Sequence, residues 1–134
     1  MSQVAEIIER IREIARIARK IDSAHDELYG IGRLGLDYFD PKTRGRLQAV
    51  NAADVELDKL LNSLELDTLR RIEAVMYSGR GDGLAVELRS QLADSHPSKE
   101  DVVRTIIEKR VCFDPYFDRG IDRAKADGLD LDTF

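Results

Sequence analysis

Val4, Ile7, Ile11, Ile14, Ala18, Ile21, His25 and Leu28 recur at alternating intervals of three and four. That spacing is a heptad seam, apolar at both core positions but for one histidine, and it predicts one long helix over residues 3–29. Ile8, Ala15, Ile17 and Ala24 widen the stripe, so the helix also has a face for its own domain. Two arrangements satisfy the pattern: a dimer-forming coiled coil, or the long arm of an intramolecular bundle. The seam is long and the rest of the chain short. This favours self-association through Val4, Ile7, Ile11, Ile14, Ile21 and Leu28, and hence a homodimer. Glu6 with Arg10, Glu9 with Arg12 and Glu13 with Arg16 are expected as neighbour pairs on the solvated face. His25 is expected as a satisfied core or interface polar residue.

A chain of 134 residues supports one domain with one modest core. With 43% hydrophobic and 35% charged residues it is too apolar for disorder and ordinary for a soluble helical protein. The net charge of -5 disfavours non-specific nucleic-acid binding, which draws on a basic excess. The single cysteine, Cys112, cannot form an internal disulfide and is expected as a buried structural thiol between Val111 and Phe113. No apolar run approaches the roughly 20 residues that span a bilayer, and Glu6 and Glu9 stand where a signal peptide would be uncharged. A cytoplasmic location is the expectation.

Glycines and Pro41 break the pattern between Gly30 and Gly45, which is expected to be a loop. Gly30-x-Gly32-x-x-Gly35 matches a dinucleotide fingerprint in letters only. A helix precedes it rather than a strand, and none follows at once. Asp40-Pro41 is a helix start, and Leu47, Val50, Ala53 or Asp54, Leu57, Leu60 and Leu61 continue as a stripe, with a possible break near Gly45 or Asn51. Further helices are predicted from Gly83 to Ser95 (Leu84, Leu88, Leu92), from the Ser98 cap through Val102, Val103, Ile106 and Ile107, and from Asp114-Pro115 to Ala126. Leu129 to Phe134 is left as an acidic, apolar tail.

Between these lies a helix carrying Leu69, Ile72, Val75 and Met76 on one face, with Asp67 expected as its N-cap. Gly79 is expected in the left-handed position that ends it, and Asp82 as the cap of the next helix. Arg80, set between two glycines, is held either for an ion pair or for display to a partner together with Asp82. Met76, Tyr77, Gly79, Arg80, Gly81 and Asp82, followed by Tyr116, Phe117 and Gly120, resemble a small bacterial domain family of unknown function with a helix, a Gly-Arg-Gly-Asp corner and a second helix. The resemblance covers the C-terminal half and implies a helical fold and a bacterial origin, not a reaction.

Other motifs carry no chemistry. Leu129-Asp130-Leu131-Asp132-Thr133 has the letters of a phosphatase nucleophile loop, which belongs at the end of a strand in a large α/β domain, and is expected to be a coincidence. Asp114, Asp118 and Asp122 share a helix face, which reads as salt-paired rather than metal-binding, since hard cations need oxygens converging from several directions. Arg70, Arg71, Arg89, Arg104, Lys109 and Arg110 could form a basic patch, but Glu73, Glu87 and Glu108 interrupt it.

The sequence therefore predicts one all-α bundle of five or six helices. Residues 1–29 form a long amphipathic helix, 30–45 a glycine-rich loop, 46–128 the bundle and 129–134 the tail. The functional expectation is a non-enzymatic interaction or adaptor domain that self-associates through its first helix, with no cofactor and with Arg80 and Asp82 offered to a protein partner. A small nucleic-acid-binding regulator is the alternative, and a metal-assisted enzyme ranks below both.

Overall fold

The computed structural model describes the backbone of residues 2–29 and 41–134, and the side chains of residues 2–17 and 52–134. Among these it is an all-α bundle without strands: α1 (Gln3–Tyr29), α2 (Pro41–Asn62), α3 (Leu66–Arg80), α4 (Ala85–Ser95), α5 (Lys99–Glu108), a 3₁₀ turn (Arg110–Cys112) and α6 (Phe113–Ala126). None of the described helices is long and apolar enough to cross a membrane.

The glycine-rich fingerprint at 30–35, and the side chains of Ile21, His25 and Leu28, lie outside the described residues. The expected loop ends sooner than Gly45. Pro41 begins α2, as its fixed φ and missing amide suit a first helical position, and α2 runs unbroken past Gly45 and Asn51.

The core is drawn from every helix. Ile8, Ile11, Leu57, Leu61, Leu69, Ile72, Val75, Met76, Val102, Ile106, Phe113 and Phe117 are almost or wholly excluded from water. Phe113 and Phe117 pack with tilted rings, their centroids 5.3 Å apart. The proximal seam of α1 belongs to this core: Val4, Ile11 and Ile14 are buried, and Ile7 packs against the cluster half-buried. These four residues, expected at a dimer interface, are covered by the chain's own helices. The widening positions Ile8 and Ala15 bring α1 down on the domain, so the intramolecular alternative describes this half of the helix.

Polar links fix the arrangement. Arg10 reaches Glu56 on α2 at 2.8 Å. Arg110 reaches Asp54 at 3.2 Å, and Lys99 donates to the Asn62 carbonyl at 2.6 Å, so α5 runs antiparallel to α2. Arg12 is the junction of α1 with α6. Its Nε donates to Asp114 at 2.8 Å, Nη2 to Asp118 at 2.7 Å and Nη1 to Glu9 at 2.9 Å. Arg16 also holds Asp114, at 2.8 Å. Asp114 and Asp118 of the expected aspartate face are thus salt-paired, to Arg12 and Arg16 of α1.

The C-terminal tail is part of the fold. Asp132 accepts hydrogen bonds from the Ser2 hydroxyl and the amides of Gln3 and Val4, at 2.8, 3.1 and 2.8 Å. It therefore caps α1 across almost the whole length of the chain, satisfying amides that a helix start leaves free. Leu131 is buried beside it.

Candidate functional site

α3 is the hub, and its C-terminal corner differs from the expected one. The helix begins at Leu66 after Glu65, so Asp67 lies in the first turn rather than at the cap. Gly79 does not end the helix. It lies within it, and Gly81, at φ 105°, takes the left-handed position, its amide donating to the Ser78 carbonyl. Gly79 is required for a different reason. A Cβ there would overlap the Tyr116 carbonyl and fall 2.9 Å from the Gly120 amide nitrogen. A Cβ on Gly120 would in turn overlap the Val75 carbonyl and lie 2.9 Å from Val75 Cγ1. α3 and α6 thus cross through two glycines at backbone contact. Gly79, Tyr116 and Gly120 converge at this crossing.

Arg80 and Asp82 are brought together and bind each other. The guanidinium donates through Nε, at 2.9 Å, and through Nη2 to the same carboxylate, and it lies over the Tyr77 ring, 4.4 Å from the centroid. Ion pair and cation–π contact fix the arginine in one pose. Asp82 does not cap α4. That helix starts at Ala85 after Leu84, which makes no side-chain cap. Leu84, expected on the buried stripe, is exposed, and so is Val86. With Ser78, Ala85, Ala124 and Leu129 they line a groove of about 150 Å³ beside the corner. Tyr116 lies near Arg80, and its hydroxyl is held above the usual phenol range, chiefly by the neighbouring Cys112. Cys112 itself is half-exposed rather than buried.

Two turns back on α3 is a feature that sequence reasoning missed. Glu73 is fully buried, with Oε2 3.0 Å from Nδ1 of His96 and Oε1 without a hydrogen-bond partner. Burial pushes the carboxyl up to about 7, against the opposing pull of His96 and Arg70. Arg70 donates to the carbonyls of His96 and Pro97, at 3.1 and 3.2 Å, and so pins the connection from α4 to α5. Ser98 then caps α5 by accepting from the Asp101 amide, as expected. A signal for Glu73 was present: it lies four residues after Leu69 and three before Met76, on the apolar face.

The arginines of the proposed basic patch have separate employments. Arg70 holds the His96 turn, Arg71 the Phe134 carbonyl, Arg89 Asp67, Arg104 Asp101 and Arg110 Asp54. Each is neutralised or fixed locally, which leaves less free charge for a polyanion. No protein-family model matches the chain, and no curated protein or solved structure shows significant similarity to it.

Proposed function

We propose that this protein is a non-enzymatic interaction domain that self-associates through the distal part of α1. The observation that carries the reading is an exposed isoleucine on that helix, on the face where Arg10 and Glu13 stand in solvent nearer its start. Val4, Ile8, Ile11, Ile14 and Ala15 are covered by the chain's own bundle, whereas Ile17 is 52% exposed. In the sequence apolar residues continue past it as Ile21, Ala24 and Leu28, and α1 runs on to Tyr29. At about 1.5 Å per residue α1 is about 40 Å long, enough for one half to serve the domain and the other a second copy.

Substitution at the two halves separates this arrangement from a purely intramolecular helix. Ile21→Glu should halve the mass in solution and leave the helical circular dichroism unchanged. Ile11→Glu should unfold the domain. A wild-type protein that stays monomeric at high micromolar concentration contradicts the proposal.

A further inference from the structure

We propose that Glu73 and His96 form a proton-operated latch, which holds the α4–α5 connection on α3 while Glu73 carries a proton and loosens it when that proton is lost to solvent. The geometry supplies both states. With Glu73 protonated, Oε2–H donates to His96 Nδ1 across the 3.0 Å contact and no charge is buried. Loss of the proton breaks the O–H bond and leaves a carboxylate in a solvent-free position. Oε2 then needs the imidazole in its Nδ1–H form, and Oε1 still has no donor. A buried charge so poorly supplied favours any opening that admits water.

His96 and Arg70 pull against the cost of burying that charge without overcoming it, and the other surrounding groups are engaged elsewhere. Arg70, in the preceding turn, acts on Glu73 but directs its guanidinium nitrogens to the carbonyls of His96 and Pro97. Arg89 of α4 turns Nη2 to Asp67. Glu108, just before the 3₁₀ turn, acts on Tyr77, and Tyr116 of α6 on Arg80, both further along α3. Arg12 and Arg16 of α1 are engaged with Asp114 and Asp118. His96 is 23% exposed in its side chain, so a proton leaving Glu73 has a short route to water. The carboxyl, raised by burial to about 7, places the change near neutrality.

The test is hydrogen–deuterium exchange of the full chain at about pH 6 and about pH 8, corrected for the intrinsic chemical rate and read on peptides spanning residues 90–98. The wild type should lose protection there by roughly tenfold at the higher pH. Glu73→Gln, which cannot ionise, should show equal protection at both. Unchanged wild-type protection, or the same loss in Glu73→Gln, overturns the latch. Should the variant not fold, carboxyl carbon NMR of the wild type decides: titration of Glu73 near neutrality supports the latch, and titration in the ordinary glutamate range overturns it.

Discussion

Gly79 on α3 and Gly120 on α6 meet through their backbones, with no room for a side chain on either. The neighbouring atoms are carbonyl and amide groups of packed helices, which cannot swing aside as a flexible side chain would. Gly79→Ala and Gly120→Ala should each destabilise by about 3 kcal/mol or more, at the upper end of overpacking effects. Gly81→Ala has open space and bears only the left-handed backbone cost of about 1 kcal/mol. Urea denaturation of the three variants checks the order. Equal losses would mean that the crossing is not the constraint.

Arg12 divides three donors among Glu9, Asp114 and Asp118, and a lysine has one nitrogen to offer. Arg12→Lys should therefore lose nearly as much as Arg12→Met, about 1–3 kcal/mol by chemical denaturation. A lysine variant as stable as wild type would reduce the junction to simple charge attraction.

Asp132→Asn should weaken the cap on α1. The carboxylate is held below its usual range by the Val4 amide first, and by Ser2 and Gln3. Faster amide exchange at Gln3 and Val4, with a lower denaturation midpoint, is the expected result. Unchanged exchange at both amides would show that the tail merely lies alongside.

Stability should depend on pH with two opposing limbs. Glu73 is raised in the folded state, so its contribution is fully present below the ordinary glutamate value and is lost as pH rises to about 7, a change of about 3 kcal/mol. Asp114 is lowered, by Arg16 first and also by Arg12, so its contribution is present above the ordinary aspartate value and is lost as pH falls through the lowered one. The melting temperature should peak on the acid side of neutrality, and Glu73→Gln should flatten the neutral limb alone. A wild-type profile still rising from pH 5 to pH 8 would contradict this assignment.

Local periodicity made much of the bundle legible. Leu69, Ile72, Val75 and Met76 are buried as their spacing implies, as are Val102, Val103, Ile106, Phe117 and Ala124. Proline and serine placed the starts of α2 and α5. What stayed hidden depends on partners distant in sequence. Gly79 has the composition of a helix stop, yet its role is set by α6. Asp132 sits in a tail with no period, and only the fold brings it to Val4. Glu73 stands on an apolar face, where a charge looks like an interruption until His96 is placed beside it. The proximal seam of α1 has the same heptad spacing whether its cover is a second copy or the chain itself, and the packing of Val4, Ile11 and Ile14 decides that half.

Sedimentation equilibrium of the wild type beside Ile21→Glu decides whether the distal part of α1 joins two copies of the chain. The wild type should have twice the mass of the 15.2 kDa chain, and the variant should be folded and monomeric. A monomeric wild type, or an Ile21→Glu variant that remains a dimer, would contradict self-association through that part of the helix.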